Sequence, residues 1–536
     1  MIRCLLILVL MPTPVAAQEH EHRTAAAERL GTVSFQTSCS AAARPSFNRA
    51  VALLHSFDFP RAVDGFKATT KADPSCAMAH WGIAISRWGN PFAAGLKAAS
   101  QLRLGREAIA AARTPAARTE RERGYVEAAA HLYTDYEHVP QGERVKAYRD
   151  AMSALSARYP SDDEAAIFYA LALAFSADPA DKTFDSQLKA GAILEKLFAK
   201  HRDHPGLAHY IIHTYDVPPL ANRGLEAARR YASIAPAAPH ALHMPSHTFT
   251  RVGYWQESIE TNIAAARSAK REGATAEELH ATDYQAYAYL QTGRDAAAKR
   301  LVDALPEIAG RFDPTMVGGT APPAAGFFAL AAIPARYALE RGAWSEAVAL
   351  IPTKTSFPFT DAMTYFARAL GAVHLQQTAV IGESVDALQR IRDRLRQSHE
   401  DYWAEQVDIQ RQIASAWLVH AEGRTSEAIA QMRTSAERED ATEKNAMTPG
   451  PLAPARELLG EMLLAHGDAA PALTEFEATM KKEPNRFRAV AGAAKAAAAA
   501  GQRTRAAAYY AQLLKICAKA DADARPELAD ARSFLR

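Results

Sequence analysis

Residues 204–216 read HPGLAHYIIHTYD and residues 238–251 read APHALHMPSHTFTR. Two histidine pairs inside them keep one interval: His209 to His243 and His213 to His247 are each 34 residues apart. That is the length of a helix-turn-helix repeat unit, so both pairs fall on equivalent sites of two stacked neighbouring helices. His209, His213 and Asp216 stand at i, i+4 and i+7, and His240, His243 and His247 at i, i+3 and i+7. Each set makes one stripe along one helix.

The repeat runs well beyond these segments. A turn glycine, a small residue five positions on and a bulky one nine positions on recur as Gly342/Ala347/Ile351, Gly423/Ala428/Met432, Gly467/Ala472/Phe476 and Gly501/Ala506/Tyr510. Gly253/Ser258/Asn262 is a looser copy, Gly293/Ala298 another, and Arg61-Ala62 to Phe66, closing on Asp73-Pro74, the first. Glycine makes the turn, the small residue lets the helices of a hairpin approach, and proline ends the second helix. The alanine-rich run Ala493 to Ala500 falls at packing positions of this pattern and reads as helix contact, not linker.

These landmarks resemble the tetratricopeptide family over most of residues 45 to 520, with degenerate stretches near 90–200 and 352–408. Together with SFQTSC, LLHSF, DPSCAMAHWG and DEAAIFYALAL, the two histidine segments look like a histidine-rich subfamily of exported bacterial tetratricopeptide proteins. The resemblance implies an all-α, right-handed solenoid of antiparallel helix pairs, with no strand of consequence, and says nothing of chemistry. It implies an N-terminal segment at 18–44, degenerate repeats at 45–200, central repeats with the histidines at 201–350 and C-terminal repeats at 351–536. In the family the second, fifth and ninth repeat positions face the concave groove. Counted from the turn glycines these are His240, His243 and His247, then His280, Asp283 and Tyr287, then Ala329, Ala332 and Arg336. The longer turn Val217-Pro218-Pro219 leaves the alignment of the His209/His213/Asp216 stripe open by about one helical turn.

Imidazole nitrogens bind zinc or copper at about 2 Å, and a pair at i and i+4 supplies two ligands from one helix face. Two such pairs in register, with carboxylates to orient the rings, predict a metal site. The expected ligands and their supports are His209, His213, His240, His243, His247, Asp216 and His280, with His209, His213, His243 and His247 converging on one point. An enzyme at that site would use Asp283 or Tyr287 as acid/base and Arg336 to hold a small anionic substrate. The alternative is a metal-free scaffold whose histidines hydrogen-bond one another and a peptide in the groove. Pro245 should kink the second segment between His243 and His247.

Other residues rank lower. His131 with Asp135 reads as a surface hydrogen bond, His55 and His80 as core, and Glu19-His20-Glu21-His22 as a solvated tail. The loop through Ala177 to Phe184, with Lys182, has no evident purpose, and the loop Gly318 to Pro323 is placed to fold over the groove. No phosphate-binding loop, nucleophile elbow or CxxC pair is present.

With 536 residues, 62 basic against 60 acidic side chains and 49% hydrophobic residues, the chain has no bulk charge preference, which argues against a nucleic-acid partner. Met1-Ile2-Arg3, the apolar run Cys4 to Met11 and Val15-Ala16-Ala17 read as a secretory signal cleaved near Ala17, too short to span a bilayer, with a periplasmic destination. Export permits a disulfide. Cys39 and Cys76 flank the first helical hairpin and would clamp it, restricting the unfolded chain by about 4 kcal/mol. Cys517 shares an apolar face with Tyr510, Leu513 and Leu514 and reads as core.

Overall fold

The computed structural model describes residues 28–93, 95–114, 119–316, 319–522 and 525–536. The signal segment 1–17, the His20/His22 tail and Gly318 lie outside them. Among the described residues the secondary structure is helical from Arg44 to Phe534, without a strand. Each helix packs on the next and several also on the one after, the arrangement of antiparallel hairpins stacked as a tetratricopeptide-type solenoid. Among the described residues no helix is long and apolar enough to cross a membrane.

The turn glycines sit where the sequence pattern puts them. Gly253, Gly293, Gly342, Gly423, Gly467 and Gly501 all have positive φ, between 66° and 98°. The following helices begin two residues later, at Trp255, Asp295, Trp344, Thr425, Ala469 and Arg503. Some left-handed turn residues are not glycine: Phe57 (φ 56°) precedes the helix Phe59–Ala72 of the first repeat, and Gln376 (φ 56°), in the poorly matching stretch 352–408, precedes Thr378–Gln397. Cys39 and Cys76 are bonded across the first hairpin, their Cα atoms 4.8 Å apart, inside the expected 7 Å reach. Cys517 is buried, as expected.

The stack winds far enough to meet itself. Trp255 Nε1 donates to the Asn485 carbonyl (2.9 Å), Asn485 Nδ2 to the Gly253 carbonyl (3.2 Å), and Arg525 pairs with Asp295 at 2.7 Å. Contact at Gly253 is so close that a Cβ there would meet the Pro484 carbonyl oxygen at 2.2 Å. Two loops thereby enter the concave side. Thr320, in the loop before the helix Pro323–Glu340, donates to the Phe57 carbonyl at 2.6 Å. The segment 442–454 crosses from the other side, and Lys182 reaches it through a 3.0 Å ion pair with Glu443. The groove is roofed.

Candidate metal centre

Helix Pro205–Thr214 starts at a cap: the Leu207 amide donates to His204 Nδ1 at 3.3 Å, and Pro205 takes the first turn, where its missing N–H is harmless. All ten residues of this helix are buried, His209 completely. The second histidine helix is broken as Pro245 requires, into Pro239–His243 and Pro245–Arg251. His280 comes from the first turns of Thr275–Gln291.

These elements gather six histidines into two trios whose ligand atoms lie within 4.8 Å of one another: His209, His213 and His240, and His243, His247 and His280. The expected single point shared by His209, His213, His243 and His247 is corrected. The helix carrying His209 and His213 is offset by about one turn, the ambiguity left by Val217-Pro218-Pro219, so its pair meets His240 rather than His243. The kink then turns His243 and His247 toward His280.

In the first trio His209 Nδ1 donates to the His55 carbonyl at 2.6 Å, which leaves the Nε2 lone pair bare. The Nε2 atoms of His209, His213 and His240 are all buried without a hydrogen-bond partner. Phe57 packs on His209 with ring centroids 4.3 Å apart, and Phe92 stacks on His213 at 4.2 Å. In the second trio the outer nitrogens are held by acceptors. His243 Nδ1 meets Asn262 Oδ1 at 2.7 Å, and the Asn262 amide nitrogen donates to the Ser258 carbonyl at 2.7 Å, which fixes the amide's orientation. His247 Nδ1 donates to Asp216 Oδ2 at 2.9 Å. Both Nε2 atoms therefore present lone pairs, and they stand 3.1 Å apart. Two donors tetrahedrally placed about 2.0 Å from an ion stand about 3.3 Å apart. His280 and Met447 of the crossing segment line the same cavity.

Burial holds all six imidazoles below their usual range, assisted by their neighbours; His209 and His280 are lowered to about 3. They are neutral, the form that binds metal. Asp216 stands behind the ring of His247 and also accepts from Arg251 Nε (2.8 Å) and Lys444 Nζ (3.2 Å). Burial alone would raise its carboxyl, but Lys444 and Arg251 hold it well below the carboxylate range. Burial lowers Lys444 to about 8 against the pull of Asp216.

The third trio, His55, Glu164 and His204, shows what a satisfied cluster looks like. The Leu207 amide occupies His204 Nδ1 and the Tyr210 hydroxyl meets His55 Nδ1 at 2.9 Å, so both Nε2–H groups donate to Glu164, at 3.1 and 3.0 Å. Every ring nitrogen here has a partner. This matches the core reading of His55, which is fully buried.

Asp283, Tyr287 and Arg336 lie in a buried network that ties the crossing segment to the helices. Arg336 is fully buried and its nitrogens are engaged by Asp283 (3.1 Å), Thr448 Oγ1 (2.9 Å) and the carbonyls of Gly450 (2.7 Å) and Pro451 (3.1 Å). It staples the crossing segment and has no free fork for an anion. Burial raises Asp283 to about 6, opposed by Arg336. Tyr287 accepts from Arg486 at 3.2 Å, and burial pushes its hydroxyl up. Asp135 pairs with His138 at 2.7 Å rather than with His131.

The sequence reading missed Asn262, Tyr284, Lys444 and the His55 carbonyl. Asn262 left a trace: it occupies the bulky position of its repeat, where other copies carry Ile351, Met432, Phe476 or Tyr510. Tyr284 faces His243 and His247 at 5.0 Å each and donates to the Thr448 carbonyl at 3.1 Å. Lys444 has no local signal, since 228 residues separate it from Asp216. Five of the six histidines, all but His209, line a small cavity of about 40 Å³ together with Thr320, Ala321 and Met447.

No family model matches the chain, and no curated protein does. Among solved structures it is similar to the APC/C hetero-tetramer Cut9-Hcn1, at 13% identity and TM-score 0.36 over 92% of this chain and 89% of that one. It is also similar to the TPR domain of P58(IPK), at 12% identity and TM-score 0.21 over 72% and 98%. A third likeness is to Naa15/Naa10 bound to HypK-THB, at 10% identity and TM-score 0.23 over 92% and 73%. Likeness this distant adds nothing to the fold read from the helices themselves.

Proposed function

We propose that this chain is a metal-binding solenoid whose histidine trios hold zinc or copper in the roofed groove. The observation that carries the reading is the set of bare, buried Nε2 lone pairs facing one another. Burying such groups unpaired costs roughly 1–3 kcal/mol each, and a cation satisfies several at once. The satisfied His55/Glu164/His204 cluster in the same protein makes the contrast sharper. Three protein donors per ion leave a coordination position open for water or substrate, which favours a reactive centre over a closed structural one. The cavity suits a small ligand, and export to the periplasm is in keeping with the Cys39–Cys76 bond.

The test is metal content of the untagged protein purified from the periplasm. Replacing His209 and His243 together by alanine should abolish stoichiometric zinc or copper while the helical circular dichroism stays nearly unchanged. Wild-type protein that purifies metal-free and takes up neither ion at micromolar concentration refutes the reading and leaves a peptide-binding scaffold.

A further inference from the structure

We infer that the two trios bind two ions as a pair, one dinuclear centre with three imidazoles to each ion. The inference rests on the metal reading above and adds the number of ions and their coupling. Within the trios, ring centroids stand 4.5 to 6.2 Å apart. Across the divide His213 and His247 stand 5.9 Å apart, and His240 and His243 6.1 Å. No wall of apolar side chains intervenes between these neighbours. The chain keeps the spacing of one continuous cluster while dividing its donors three and three.

The donor set selects the ions. No carboxylate or thiolate belongs to either trio: in the second, Asp216 and Asn262 sit behind the rings of His247 and His243 and bind their outer nitrogens. All-imidazole coordination suits copper and zinc and disfavours magnesium, calcium and manganese, which take oxygen. It also leaves the charge unbalanced. Asp216 already answers Arg251 and Lys444, and Glu277 is the carboxyl that lines the cavity, so two dications would face each other with at most one counter-charge of their own. The pair therefore requires a small anion between the ions, hydroxide at rest or the anionic group of a ligand. The cavity beside the histidines has room for it.

The experiment uses the untagged full chain, stripped with chelator and reloaded with copper(II), with zinc(II) in a parallel sample. Metal is counted by mass spectrometry, and the copper form is examined by electron paramagnetic resonance. We expect two ions per chain, with the copper signal integrating to far less than two spins because the bridging anion couples them. His209→Ala with His240→Ala should leave one copper with a full isolated signal, and His243→Ala with His280→Ala should do the same. One ion per wild-type chain overturns the inference while sparing the metal reading. Two coppers that integrate to two independent spins also overturn it. No bound ion of either metal removes both readings. The wild-type count and spectrum decide the matter even if a variant fails to fold.

Discussion

Replacing Asp216 by asparagine should produce two losses that can be told apart. The first is stability. Asp216 is the carboxylate shared by Arg251 and Lys444, whose side chains are only 4% and 6% exposed. Stranding a buried charge costs about 3–5 kcal/mol. Lys444 has an exit, since burial has brought its ammonium down to about 8, and shedding the proton one unit below that costs about 1.4 kcal/mol. Arg251 has none. We expect about 3 kcal/mol of destabilisation, of which the companion change Lys444→Met should return about 1.4 kcal/mol at most. At an unfolding entropy of about 2.1 cal/mol/K per residue, a 536-residue unit melts about 3 °C lower for that loss, and a smaller cooperative unit shifts more. The second loss is affinity, because His247 no longer has an anion fixing its Nδ1–H; removing such a partner typically weakens metal binding 10–100-fold. Melting of chelator-treated protein reads the first effect and competition titration with zinc the second. The double variant should regain part of its melting temperature and none of its affinity. An Asp216→Asn protein that melts and binds zinc like the wild type would refute both roles given to this carboxylate.

Glu164→Gln should lower the melting temperature by disturbing the satisfied trio and leave the metal count unchanged; a fall in the count would make that trio a site in its own right. Gln376→Gly should raise stability by about 0.5–1 kcal/mol, because an exposed residue held at φ 56° gives way to one that adopts it freely, and unchanged or lower denaturant resistance would contradict the turn argument. Burial raises Glu439 to about 7, while its carboxylate accepts the Ala455 amide at 2.8 Å. A raised acid contributes stability fully below its unfolded value of 4.5 and loses it as pH climbs through the folded value, so the melting temperature should fall between about pH 5 and pH 8. Glu439→Gln should flatten that slope, and an equal slope in both proteins removes Glu439 as its source.

Turn chemistry decided which repeats were readable. Where glycine occupies the left-handed position the 34-residue pattern stands out, and Gly467 and Gly501 gave it directly. Gln376 adopts the same backbone with a side chain that carries no such signal, so part of the stretch 352–408 resisted counting. The histidines were legible as a set because periodicity fixes which residues share a face. Their partition was not, because it depends on a turn of irregular length and on the kink at Pro245, each of which shifts register by a few ångström. The task of Arg336 was hidden for another reason: its partners at 448–451 lie more than a hundred residues away, and no local pattern encodes a contact made by closure of the whole superhelix.

That closure also sets a timetable. Met447, which lines the cavity beside His280, and Lys444, which balances Asp216, leave the ribosome well after all six histidines have emerged. Contacts of such long sequence separation form late, because loop closure must be met before they return anything. A partly translocated or C-terminally truncated chain would therefore show its imidazoles to solvent, open to whichever ion is most abundant. On the metal reading proposed above, only the finished protein is selective, so loading should be most selective when metal is supplied after folding is complete.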